Sequence, residues 1–192
     1  MAKKILLLAG DFAEDYEVMV PYQVLELLGY QVDVVCPGKK SGDKIATVLN
    51  EMAEFQTYIE LRAHNFTLNK SFDEVKAADY SGFYIAGGRA PEYIRLDKTV
   101  IELTKHFFQS NLPVAAICHG IQVLTAAGVV KGRTLTCYPA VSPEIVLAGG
   151  TYKEVDLIEA VVDGNLVTSP AWPGHQKILR IFAELLGAKI SI

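Results

Sequence analysis

Short apolar runs recur along the chain with helical stretches between them, and this alternation restricts the fold more than any other feature. KKILLLAG is continuous, apolar and closed by glycine, the pattern of a strand buried on both faces of a parallel sheet. Val18, Tyr22, Leu25 and Leu28 then recur at helical spacing, with Gly29 placed to stop the helix. YQVDVVCPG follows as a second strand, closed by Pro37 and Gly38. Together these make one β-α-β unit.

Residues 39–72 break the rhythm with short alternating stretches and polar turns, and read as an insertion. DYSGFYIAGG restores the sheet as a third core strand, TVIELTKHFFQSN predicts a helix, and PVAAICH is the fourth strand. GIQVLTAAGVV supplies the next helix, GRTLTCYPA another strand or strand-like return, and SPEIVLAGG a short helix. AVVDGNLVTSP predicts a hairpin turning at Asp163-Gly164, and PGHQKILRIFAELLG a closing amphipathic helix. The expected fold is α/β: a doubly wound, mostly parallel sheet sandwiched by helices, with ligands beyond the carboxyl ends of its strands. The chain reads as one domain over residues 1–192, inserted at about 39–72. A domain of this length buries roughly 70% of its unfolded surface, so it needs neither disulfides nor a structural metal.

Charge and cysteine usage exclude several functions. With 18 basic and 22 acidic residues the net charge is -4, and no basic block tracks a phosphate backbone, so nucleic acid is not an expected partner. Cys36, Cys118 and Cys137 make an odd count without CxxC spacing, which argues for a reducing compartment and against a cysteine-rich zinc site. The apolar N-terminal run is soon interrupted by acids and reads as a strand rather than a secretion signal. No stretch approaches the roughly 18 apolar residues of a membrane span, and the expected location is the cytoplasm.

Three strand ends carry unusual residues: AGDFAEDYE, AGGRAPEY and ICHG. A parallel sheet brings such ends to one crevice. Cys118 sits where an apolar strand runs into His119, Gly120 and a helix, a strand-to-helix elbow. A helix N-terminus there favours thiolate, and the N–H after the nucleophile can face an oxyanion. A lone strand-end cysteine is more often a small core residue; here the adjoining histidine and glycine and the two other loops favour a nucleophile. Cys36 and Cys137 lack such surroundings and read as structural. Gly87 and Gly88 suit a close backbone approach, with the Gly88 N–H as a second oxyanion donor, although Gly-Gly alone also marks an ordinary turn. Neither GxGxxG nor GxxxxGK[ST] occurs, so no cofactor is expected, nor any metal. Asp11, Glu14 and Asp15 read as a solvated helix start; Glu17 begins the apolar face, where a buried carboxyl would keep its proton and donate to sulfur. His64 and His106 read as structural or exposed.

GDFAEDYEV, YIAGGRAPEYIR, VAAICHGIQVL and GRTLTCYPAV together resemble the PfpI / DJ-one superfamily over nearly the whole chain. HNFTLN and AWPGH look nearest to its plant-type, tandem-domain, glyoxalase III-like members. The resemblance implies a flavodoxin-like sandwich related to class I glutamine amidotransferases, with Cys118 as nucleophile, Glu17 as the protonated partner of its sulfur and His119 as the proton-transfer group. It also implies that Glu92, in GGRAPE, completes the site from a neighbouring subunit, so that a homo-oligomer of two, three or six chains is expected. Gly88 and His119 would supply the oxyanion N–H groups. His175 is absent from the shortest members; substrate contact and a surface helix start are both open for it. The implied activity is cofactor-free conversion of methylglyoxal or glyoxal to lactate or glycolate. The alternatives are a cysteine peptidase using Cys118, His119 and Glu92, and a non-enzymatic redox sensor or chaperone oxidised at Cys118.

Overall fold

A computed structural model describes residues 3–52 and 55–189; residues 53 and 54 of the inserted segment, and the chain ends at 1, 2 and 190–192, lie outside the described residues. The chain opens with strand β1 (Lys4–Leu8), a short β2 (Ala13–Glu14), helix α1 (Asp15–Leu27) and β3 (Gln31–Val35). Two long strands follow, β4 (Lys44–Met52) and β5 (Tyr58–Thr67), then β6 (Gly82–Ile85), α2 (Pro91–Ile94) and α3 (Lys98–Gln109). β7 (Val114–Ile117) leads through a single 3-10 turn, Cys118–Gly120, into α4 (Ile121–Ala126). The remainder is β8 (Thr134–Leu135), α5 (Ser142–Leu147), β9 (Thr151–Tyr152), the strands β10 (Val161–Asp163) and β11 (Leu166–Ser169), and α6 (His175–Leu185).

The main sheet has six strands in the order β10-β11-β7-β6-β1-β3. All neighbours are parallel except β10, which pairs antiparallel with β11. The parallel strands, taken in chain order, run 2-1-3-4-5, the flavodoxin-like arrangement. Successive β1 residues explain its unbroken apolar run: Ile5 and Leu7 join the core that holds Val18 and Leu25 of α1 and Ile178 and Phe182 of α6. Leu6 and Leu8 join the opposite core, with Val100, Leu103 and Phe107 of α3 and Leu124 of α4. Side chains on a strand alternate faces, so a sheet covered on both faces needs apolar residues at every position.

The inserted segment forms an antiparallel hairpin of β4 and β5, irregular between Ala46 and Val48. β2 adds to its edge in parallel, pairing Ala13 with Thr47 and Glu14 with Val48. The loop after β1 is fixed to this hairpin again where the Asp11 carboxylate accepts from the Ala46 N–H at 2.9 Å. An alternating segment thus becomes a second small sheet standing over the carboxyl end of the first.

GRTLTC forms the short strand β8, which pairs with β9 in a separate two-stranded sheet and not in the main one. One sequence expectation needs correction. The tight turn is centred one residue later than expected: Asp163 pairs with Leu166, leaving Gly164 and Asn165 between the strands. Gly164 has φ +60, which suits the first central position of a two-residue hairpin turn.

Among the described residues no helix is long and apolar enough to cross a membrane. The start of α3 offers a direct check of local stability. Asp97 accepts from the Thr99 N–H at 2.7 Å and the Val100 N–H at 3.2 Å. Asp97→Ala should cost about 1 kcal/mol in urea unfolding, while Asp97→Asn should retain most of the stability.

Candidate functional site

The loops after β1, β6 and β7 meet beyond the carboxyl ends of their strands. Cys118 closes β7 with φ +57, a left-handed conformation that costs a non-glycine residue roughly 1–2 kcal/mol. Such strain persists only where its surroundings hold it, and the sharp turn leaves the sulfur at the cavity wall. Its Sγ lies 3.2 Å from Nδ1 of His119. The His119 ring stacks on Tyr138, with centroids 5.1 Å apart, and meets the edge of Tyr58 at 5.9 Å.

Glu17 stands in the first turn of α1, fully buried. Glu14 caps that helix, its Oε2 accepting from the Glu17 N–H at 2.9 Å. The Glu17 Oε2 in turn accepts from the Gly87 N–H at 2.9 Å. Its Oε1 meets no partner at hydrogen-bond distance, although the Cys118 side chain and the Trp172 N–H act on the carboxyl. A side chain at Gly87 would collide with Glu17 Oε2 and come within 2.6 Å of the Cys118 Cβ, so only glycine lets the three loops converge. Gly88, at φ +69, passes equally close to Phe12 and Ala13 of the first loop.

Burial governs the protonation of this group. It raises the Glu17 carboxyl well above its ordinary 4.5, and the nearby Glu14 charge pushes the same way. Burial thus favours the protonated form of Glu17. Burial also pushes the Cys118 thiol up, aided by any charge on Glu17 and opposed by the backbone N–H groups of Gly88 and His119. The expectation of a resting thiolate needs correction: α4 is only six residues long and stands behind a 3-10 turn, and its dipole does not offset the loss of water. His119 is lowered to about 4, by burial, and is a neutral proton acceptor at physiological pH.

A cavity of about 380 Å³ opens onto the sulfur. Tyr58, Tyr138 and Trp172 supply its aromatic wall, and Glu14, Glu17, Asn50 and Glu51 its polar groups. Tyr58, Asn50 and Glu51 all come from the hairpin, so the inserted segment builds one side of the site. Reading strand ends alone missed these residues, because the register that turns them toward β7 is tertiary. Glu14 and Asp15 are also corrections: both are buried rather than solvated. Asp15 accepts from the Thr47 hydroxyl and lies 3.2 Å from Nδ1 of His64. The signal for Glu14 was its position three residues before Glu17, at the cap of the same helix.

Two other expected site residues stand apart. Glu92 is exposed on α2 and does not line the cavity, though its charge reaches Tyr58. His175 does not line it either. The turn at Trp172–Gly174 points Trp172 and Pro173 into the site and leaves His175 buried at the start of α6, in a smaller cavity beside Val20, Val24 and Leu179. Substrate contact through His175 is thereby corrected. Cys36 and Cys137 are buried, with thiols pushed up by burial to about 11 and about 12. Among the described residues no group of three or more His, Cys, Asp or Glu side chains is arranged to hold a metal ion.

Residues 3–184 match the DJ-1/PfpI family. The chain is 50% identical over 190 residues to "Protein DJ-1 homolog D" of Arabidopsis thaliana, covering 98% of itself and 49% of that protein. It thus spans about half the length of the plant relatives it matches. "Deglycase PfpI" of Pyrococcus furiosus is 34% identical over 185 residues, covering 95% of this chain and 99% of that one. Among solved structures, Drosophila melanogaster DJ-1beta superposes with a TM-score of 0.78 at 26% identity, over 98% of this chain and 92% of the other.

The buried carboxyls have a measurable signature. Burial raises Glu14 to about 7 from an ordinary 4.5. A raised acid binds its proton more tightly folded than unfolded, so its penalty on stability is absent below about pH 4.5 and complete above about pH 7. Glu14→Gln keeps an acceptor for the Glu17 N–H and should stabilise the chain at pH 8 by up to about 3 kcal/mol, with the difference vanishing near pH 4 in denaturant titrations.

Proposed function

Because the chain belongs to the DJ-1/PfpI family, we propose that it is a cofactor-independent enzyme of the glyoxalase III type, converting methylglyoxal or glyoxal to lactate or glycolate at Cys118. The observation that carries this reading is the sulfur held at positive φ beside a neutral His119 and a protonated Glu17, at the wall of a small aromatic cavity.

His119 Nδ1 takes the thiol proton as the sulfur adds to the aldehyde carbon, giving a hemithioacetal. Generating the thiolate only as it attacks removes the need for a resting anion in a buried site. The new oxyanion faces the N–H groups of Gly88 and His119 and collects the proton. The former aldehyde carbon then loses its hydrogen as a proton, through an enediol, and the neighbouring carbon gains one, leaving a thioester of the hydroxy acid. Glu17 and His119 are the groups placed to carry these protons. Water cleaves the thioester, releasing the hydroxy acid and restoring the thiol. Substrate and water account for every atom, and no external electron acceptor enters.

A second reading has support in the archaeal relatives named deglycase. Removal of a dicarbonyl adduct from a thiol or amine would pass through the same sulfur adduct on Cys118, followed by the same isomerisation. A peptidase reading fits less well, since about 380 Å³ walled by Tyr58, Tyr138 and Trp172 suits a small aldehyde better than an extended polypeptide.

Cys118→Ala should lower methylglyoxal consumption, measured without glutathione by following lactate, by about a thousandfold or more, with the circular dichroism unchanged. Turnover retained by this variant excludes the mechanism. We place Glu92, exposed on α2, at a boundary between subunits of a homo-oligomer, where it would complete a neighbour's site. Mixing inactive Cys118→Ala chains with inactive Glu92→Ala chains should then restore a measurable part of the activity, and no rescue assigns the whole site to one chain.

A further inference from the structure

We propose that this cavity selects its substrates by charge, admitting neutral and cationic carbonyl compounds and turning away those that carry a carboxylate or phosphate. The inference deepens the aldehyde reading and rests on it for the identity of the reaction. The carboxyl side chains lining the cavity are Glu14, Glu17 and Glu51, and since burial favours the protonated form of Glu17, the negative charge comes from the other two. No lysine or arginine is among the described lining residues.

The nearby cations are engaged elsewhere. Arg89 pairs with Glu60 Oε2 at 3.0 Å and lies over the Phe12 ring, 4.7 Å from its centroid. Arg62, on the hairpin, donates to the carbonyls of Thr47 at 2.9 Å and Ala63 at 2.8 Å. The remaining base in the cavity, His119, is neutral.

The unsatisfied polar atoms point the same way. Glu14 Oε1, Glu17 Oε1 and Asn50 Oδ1 are side-chain oxygens without a hydrogen-bond partner, and Glu14 and Glu17 are almost wholly buried. Protonated carboxyls among them can donate to a carbonyl oxygen. None offers the positive charge that a desolvated anion requires. The N–H groups of Gly88 and His119 are directed to one developing charge at the reacting carbon, which leaves a second anion on the substrate with no counter-charge. The rings of Tyr58, Tyr138 and Trp172 add π faces, which attract cations and not anions. One consequence concerns turnover: a hydroxy acid product is an anion, so hydrolysis of the thioester converts an accepted ligand into a rejected one.

Alkylation of the whole chain of 192 residues tests the field without relying on catalysis. Iodoacetamide and iodoacetate share one reacting carbon and differ in charge, and their rate ratio at a single pH cancels the thiolate fraction. Measured at Cys118 by peptide mass spectrometry, the amide-to-acetate ratio should exceed that of 2-mercaptoethanol by about fivefold or more at low salt. Glu51→Gln, an exposed substitution at the rim, should reduce the excess about twofold. A ratio equal to or below that of 2-mercaptoethanol overturns the proposal. The two readings separate when turnover is measured alongside, with methylglyoxal against 4,5-dioxopentanoate, a 2-oxoaldehyde that also carries a carboxylate. Discrimination in alkylation with no turnover of methylglyoxal sinks the glyoxalase reading alone. Equal turnover of both aldehydes, with no discrimination in alkylation, sinks charge selection alone.

Discussion

The buried Glu17 carboxyl, set between the Gly87 N–H and the Cys118 side chain, is the contact on which the rest of the site depends. It stands on the first helix, reaches the loop after the third parallel strand and touches the residue that ends the fourth. Moving the Gly87 loop would leave Oε2 as well as Oε1 of a buried acid without a hydrogen-bond partner, which costs on the order of 1–3 kcal/mol. The convergence requires Gly87, because a single added carbon would collide with the Glu17 carboxyl and the Cys118 Cβ.

Burial then sets the chemistry. It keeps a proton on Glu17, strips one from His119 at neutral pH and disfavours a resting Cys118 thiolate. These shifts have one cause, removal of each ionised form from water, and together they prepare an acid, a base and a thiol rather than a cluster of charges. The cost is carried by the sheet, whose two apolar faces pack against helices on both sides.

The hairpin of β4 and β5 gives the site its particular character. The doubly wound sheet supplies the reactive group, and the hairpin supplies Asn50, Glu51 and Tyr58. It is anchored where the site begins, through β2 and the Asp11 carboxylate, so the wall is joined directly to the helix cap bearing Glu14. The chain's place in the DJ-1/PfpI family describes the sheet and the elbow. The hairpin's aromatic and acidic lining is where selection among substrates can be written.

The amino-acid sequence by itself determined the alternation of strands and helices, the parallel sheet, the elbow at Cys118 and the inward turn of Glu17. Each follows from local periodicity or from a residue's place at the end of an apolar run. The burial of Glu14 and Asp15 was not legible, since acids at a helix start are ordinarily solvated and only the overlying hairpin excludes water from them. Nor was the departure of His175 from the cavity, which depends on how the Trp172–Gly174 turn packs. The protonation of Cys118 likewise belonged to the tertiary structure: an N-terminal dipole can be read from neighbouring residues, whereas the desolvation opposing it comes from separate loops, such as those bearing Glu17 and Gly87, brought close only by folding.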